Sequence, residues 1–198
     1  MGLGLLILIG TAVVLGLIVL VIYNRMVSRR NAADNSWAQI DAALQRRHDL
    51  VPNLVEAVKG YAKHEQDTFE RTTKARTRAE AAEGPPQQAA AEGALQAALG
   101  RLLVVAEQYP ELRATENFQN LQLALSEAEN QIQITRRVYN DTVQTYNTLI
   151  QIFPPSLVAN AFNFEPKEFF DAPKDAEATP DVSFEKGEGK AADTPVEK

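Results

Sequence analysis

The stretch RRHDLVPNLVEAVKGYAKHE, residues 46–65, keeps its apolar residues at helical spacing and yet carries a proline, Pro52, in its middle. A proline inside a helix removes one backbone hydrogen bond and crowds the carbonyl four residues back, at a cost of about 3 kcal/mol. On both sides of it the phase does not slip. Trp37, Ile40, Leu44, Val51, Leu54, Val58 and Tyr61 recur at steps of three and four, with Arg47 in the one skipped position. The continuous phase favours a single helix over residues 31–83, kinked at Pro52. The alternative is that Asp49 caps a new helix with Pro52 in its first turn, where a missing N–H does no harm. Burial of Val51, Leu54 and Val55 is the expected offset, since each buried aliphatic side chain contributes about 1.5 to 3 kcal/mol.

Upstream, residues 3–23 are uncharged and almost wholly apolar. As a helix they are long enough to cross a hydrocarbon core of about 30 Å. No basic region precedes them, and Arg25, Arg29 and Arg30 follow, which reads as an uncleaved anchor rather than a signal peptide. The positive-inside rule then places the arginines and all that follows in the cytoplasm, with a short N-terminus outside. Ala12 and Gly16 form a small-xxx-small pair, more simply read as small residues tolerated in a membrane helix.

Downstream, EQDTFERTTKARTRAEAAE (65–83) loses the apolar stripe apart from Phe69, and its cations Arg71, Lys74, Arg76 and Arg78 read as a solvated face. GPPQQ, from Gly84, stops the helix. An alanine-rich segment, 87–108, places Leu95, Leu99, Leu102, Leu103 and Ala106 on one side. In the next segment Phe118, Leu121, Leu125, Ala128, Ile132, Thr135, Tyr139, Thr142, Tyr146, Leu149 and Phe153 alternate steps of three and four, the pattern of a coiled-coil seam or a long bundle helix. Pro154 and Pro155 end it.

The expected architecture is all-α. A transmembrane helix (3–24, after a two-residue N-terminus) leads into an antiparallel, up-and-down helical bundle (25–172). The bundle has three long helices and a short C-terminal helix near 156–162, with Phe162, Phe164, Phe169 and Phe170 available to cover a remaining face. Residues 173–198, acidic and poor in apolar side chains, read as a disordered tail. One difficulty follows from helix rise: a first helix over 31–83 spans about 80 Å and the second only about 33 Å.

The net charge of −6 argues against a broad nucleic-acid-binding face. With no cysteine there is no disulfide framework and no thiolate metal site. His48 and His64, the only histidines, are sixteen residues apart, and His64-Glu65 does not continue into an HExxH motif. No nucleophile with a base, no phosphate-cradling glycine loop and no matched carboxylate pair is legible, so no enzyme chemistry and no cofactor or metal is expected. Two polar clusters stand out. Arg46, Arg47, His48, Asp49 and Asn53 are the densest polar group on an apolar helix, and a core-facing Arg47 must find Asp49, a glutamate or a tyrosine hydroxyl. The repeat YNDTVQTYN sets Tyr139 with Tyr146 and Asn140 with Asn147 on one helix face. It reads either as core tyrosines with register-fixing asparagines or as a polar recognition groove.

Three stretches together resemble one family. WAQIDAALQRRHDLVPNLVEAVKGYAKHE (37–65), YPELRATENFQNLQ (109–122) and RRVYNDTVQTYNTLIQIFPPSLVANAFNFEPKEFFDA (136–172) closely resemble the LemA family of bacterial membrane-anchored proteins. The resemblance implies an N-terminal membrane helix and a four-helix up-and-down bundle of undefined biochemical role. One branch resembles a magnetosome-forming protein, and some members neighbour a membrane metalloprotease.

The expected function is therefore a non-enzymatic, single-pass protein of the bacterial inner membrane whose bundle self-associates and scaffolds the membrane surface. Its partners are the lipid bilayer and further copies of itself. The alternative is an adaptor or regulator for a membrane protease or envelope-stress system, contacting its partner through the acidic tail. An enzyme built on the Arg47 to Asn53 cluster is a third reading.

Overall fold

In the computed structural model, which describes residues 2–170, every regular element is a helix. The long apolar segment and the first bundle helix are one element, α1 (Gly2–Lys59), with no break at their junction. At 1.5 Å per residue it is about 87 Å long. From Leu3 through Val21, a rise close to the full hydrocarbon thickness of about 30 Å, it exposes its large apolar side chains, and the first fully buried residue is Met26. The helix then passes through Pro52 and ends at Lys59.

Here the expectation of one helix over 31–83 is corrected. Gly60 to Glu65 form a turn, and α2 (Gln66–Glu80) folds back along α1. Ala62 is tucked fully inside that turn, while Tyr61, expected on the core stripe, is exposed. Burial of Phe69, Thr72 and Ala79 on α2 is what the reversal gains. The length mismatch disappears with it, because the projecting half of the expected helix is a hairpin arm.

Gly84 opens the next turn at φ +79°, a backbone region that favours glycine, and Pro85 begins α3 (Pro85–Glu107). Leu95, Leu99, Leu102, Val105 and Ala106 form its buried side. A single turn, α4 (Pro110–Arg113), leads to Thr115, whose hydroxyl accepts from the Phe118 amide and so caps α5 (Glu116–Gln151). A short α6 (Pro155–Ala161) and an extended stretch to Phe170 complete the described chain.

The core is stacked in three layers along α1. Next to the apolar segment, Met26 packs with Tyr146, Ile150, Val158 and Ala159. In the middle, Ala33, Ile40 and Leu44 meet Ile132, Tyr139, Val143 and Phe170. At the far end Val51, Leu54 and Val58 pack with Phe69, Leu95, Leu102 and Phe118. Positions that rise along α1 meet positions that fall along α5, so α5 returns toward the apolar segment. Phe153, the last residue of the heptad series, is 79% exposed rather than part of the seam. The expected tail, 173–198, lies outside the described residues, as do Met1, Asp171 and Ala172.

Candidate functional site

Where the second and third layers meet, α1 turns two polar residues inward. Arg47 and His48 are 2% and 3% exposed. Their neighbours in the expected cluster, Arg46, Asp49 and Asn53, face solvent. Asp49 accepts a hydrogen bond from Gln45, and Arg46 reaches Glu127 on the surface.

The partners of the inward pair come from α3 and α5. Glu92, 5% exposed, receives the Arg47 guanidinium on Oε2. Its Oε1 accepts from His48 Nε2 at 2.7 Å and from Gln88 Nε2 at 2.8 Å. Gln88 also donates to the Ala79 carbonyl at 3.0 Å. A second Arg47 nitrogen donates to Glu129 on α5 at 2.7 Å. Burial works against ionisation of Glu92, but the His48 hydrogen bond and the Arg47 charge outweigh it and hold the carboxyl below the ordinary range. Arg47 Nε is buried with no hydrogen-bond partner among the described residues. One arginine thus ties α1, α3 and α5 together.

Pro52 belongs to this centre. It has no N–H to offer the carbonyl of His48, one turn back, and that carbonyl instead accepts from Arg76 Nε of α2 at 2.8 Å. Arg76 is fixed in turn by Glu80 at 2.7 Å. The backbone acceptor released by the proline is used to dock the second helix, which answers part of the proline's cost through hydrogen bonding as well as burial.

The four residues of the YN repeat also come together, around the chain's own C-terminal stretch. Asn147 donates to the Lys167 carbonyl and accepts from the Lys167 amide, at 2.8 and 2.9 Å. Asn140 makes the same two-way pairing with Phe170, both at 3.0 Å. Tyr146 and Tyr139 donate to the carbonyls of Glu165 and Glu168, each at 2.8 Å. The register has a geometric cause: seven helical residues rise about 10.5 Å and three extended residues about 10 Å. Each asparagine amide stands in for a peptide group of a β-ladder, so the repeat holds backbone and leaves side chains unread. Burial, then the carboxylates of Asp34 and Glu168, push the Tyr139 hydroxyl up to about 12. Burial likewise raises Tyr146.

Just past the apolar segment, Arg25, Arg29 and Arg30 are exposed. Among the described residues no group of histidine, aspartate and glutamate side chains has metal-ligand geometry. The His48–Glu92 pair is enclosed, and what the arrangement does physically is join helices. A groove of about 300 Å³ between α3 and α5, bordered by Leu99, Leu103 and Leu125, ends at Arg47 and Glu129. Another, of about 420 Å³, separates α2 and α3. Arg71, Lys74, Arg78 and Arg101 line it over an alanine floor.

Glu92, Gln88, Glu129 and Arg76 are absent from the sequence-derived site. A signal for two of them exists: Gln88 and Glu92 continue the Leu95, Leu99, Leu102, Ala106 stripe at steps of four and three.

Comparison with known proteins gives one family match and three relatives. The family model described as LemA family matches residues 36–184. Magnetosome protein MamQ 2 of Paramagnetospirillum magneticum is 28% identical over 174 residues, covering 75% of this chain and 64% of the relative. Magnetosome protein MamQ of Magnetospirillum gryphiswaldense is 27% identical over 174 residues, with the same coverage. Protein LemA of Metamycoplasma hominis is 24% identical over 150 residues, covering 75% of this chain and 68% of that protein. The chain thus spans about 64% of the length of the magnetosome relatives.

Proposed function

This chain belongs to the LemA family, and from that premise we propose that it is a non-enzymatic, single-pass membrane protein whose bundle self-associates and scaffolds the membrane surface. The observation that carries the reading is the continuity of α1. One unbroken helix enters the apolar segment at one end and forms the bundle's spine at the other, so the bundle is coupled to the bilayer without a hinge. The side of the membrane follows from Arg25, Arg29 and Arg30, which the positive-inside rule assigns to the cytoplasmic face of a bacterial inner membrane.

Self-association draws on an exposed apolar stripe of α5. Leu123, Ile134 and Val138 are 61%, 59% and 45% exposed and lie eleven and four residues apart, on one side of the helix. Apolar side chains exposed to this degree on one helix face suit a second copy. Single cysteines test this directly, since the natural chain has none. Ile134→Cys and Val138→Cys should give disulfide-linked dimers in oxidised membranes, while Lys63→Cys, on the exposed turn, should not. Monomers at all three positions would contradict the reading.

The basic α2–α3 groove favours a second reading, an adaptor or regulator for a membrane protease or envelope-stress system that holds an acidic partner segment. Arg71 and Lys74 are paired with Asp67 and Glu70, whereas Arg78 and Arg101 face the groove with no ion pair among the described residues. Removing residues 173–198 separates the two readings. Assembly survives the deletion under the first, and partner capture is lost under the second if the acidic tail is the contact.

A further inference from the structure

Large exposed apolar side chains cluster at a second place besides the apolar segment of α1. At the corner between α5 and α6, Phe153, Leu157, Phe162 and Ile152 are 79%, 62%, 52% and 49% exposed. The corner does not expose them for want of a core. Pro155, Val158 and Ala159 of α6 are buried against the bundle, which turns Leu157 outward.

Position says what covers them. The Phe162 ring lies 5.0 Å from the Tyr23 ring, and Phe164 lies 5.6 Å from it. Ile22, Tyr23 and Met26 of α1 pack with Tyr146, Leu149, Ile150 and Val158. The corner therefore sits at the level where the apolar run of α1 gives way to Arg25. The sequence agrees: no Asp, Glu, Lys or Arg occurs between Asp141 and Glu165. Arg25, Arg29 and Arg30 are exposed on the next turns of α1, with the Arg30 guanidinium 5.5 Å from the centre of the Phe164 ring.

We infer that the α5–α6 corner is a second membrane contact, in which Phe153, Leu157 and Phe162 enter the interfacial layer of the bilayer that α1 crosses and the three arginines meet lipid phosphates. Tyrosine and phenylalanine side chains beside a belt of arginines are the composition of a membrane–water boundary. An uncharged corner with its apolar residues turned outward suits that layer and no aqueous one. The contact rests on the membrane-anchor reading and adds to it a fixed orientation, because a helix held at one further point can neither tilt freely nor rotate about its axis.

Single-cysteine full-length proteins, labelled with an environment-sensitive fluorophore in vesicles of phosphatidylcholine and phosphatidylglycerol, test the contact. Labels at Phe153→Cys and Leu157→Cys should emit at shorter wavelength, be quenched by doxyl lipids and resist aqueous iodide. A label at Lys63→Cys, on the exposed turn at the far end of α1, should remain open to iodide. Iodide quenching at 153 and 157 equal to that at 63 overturns the contact, and so does protection from iodide without quenching by doxyl lipid, the mark of a protein cover. Leu15→Cys reports on the anchor alone. Doxyl quenching at 15 without quenching at 153 rejects only the second contact, and its absence at 15 rejects the membrane reading itself.

Discussion

Arg47 occupies a position that the apolar phase of its helix assigns to the core, and two carboxylates reach it there. Removing one partner of a buried pair leaves the other charge unanswered, at a cost of about 3 to 5 kcal/mol. Arg47→Ala should therefore lower unfolding stability by about that much, measured by circular dichroism in denaturant. Replacing Arg47 and Glu92 together with methionine should recover most of the loss. The Glu92 carboxyl, depressed below its ordinary range by His48 and Arg47 against the pull of burial, fixes a pH dependence. Its contribution is present above the unfolded-state carboxyl pKa and is lost as pH falls through the depressed value. Melting temperatures of the protein and of Glu92→Gln should accordingly differ near neutral pH and converge in acid. The charge of Arg47 at a core phase was legible in the sequence, as was its need for a partner, with Asp49, a glutamate and a tyrosine hydroxyl all open. Which partner it finds was not legible, because Glu92 lies in an alanine-rich run where a single acid reads as solubilising, and only the pairing of α1 with α3 distinguishes it.

At the scale of elements, α1 runs through its proline, as the continuous apolar phase favoured, and stops at a glycine that the same phase carried the helix past. Pro52 leaves α1 intact, and Gly60 follows its end. Glycine costs only about 1 kcal/mol in a helix and proline about 3 kcal/mol, so local propensity ranks the two sites the wrong way round. The order is reversed by contacts distant in sequence: Arg76 answers the His48 carbonyl across the α1–α2 hairpin, and Phe69, Thr72 and Ala79 find burial only if the chain turns at Gly60. Arg76→Met should cost about 1 to 3 kcal/mol by stranding that carbonyl. In a Pro52→Ala background, where a backbone N–H again reaches His48, the same change should cost less, and a double-mutant cycle measures the difference. The heptad helix, by contrast, was legible nearly end to end because its stripe is dense and its caps are local. Its YN repeat was read as core or groove, and the protein uses it to clamp 165–170. Tyr139 gives that clamp an alkaline limit. With burial and two nearby carboxylates raising its hydroxyl to about 12, its contribution is complete below the ordinary tyrosine range and is lost as pH rises through about 12. Asn140→Ala together with Asn147→Ala should release the same stretch at neutral pH, seen as faster amide exchange at Lys167 and Phe170.

For the whole molecule, α1 joins the apolar segment and the bundle in one continuous helix, and α5 carries an outward apolar stripe. The apolar N-terminal helix and the helical bundle were legible from hydropathy and period. Their fusion into a single helix was not, because Arg25, Arg29 and Arg30 read as a boundary although arginine is a good helix former. On the proposed reading, a spine without a hinge presents every copy in the same orientation, and lateral assembly through Leu123, Ile134 and Val138 is its consequence. The mass of the full-length protein in detergent, by native mass spectrometry or light scattering, tests that assembly most directly when compared with Ile134→Asp/Val138→Asp. A multiple of the chain mass that falls to a single chain in the variant, with the helical signal and melting temperature unchanged, is the predicted result. A single chain for the unaltered protein would contradict it.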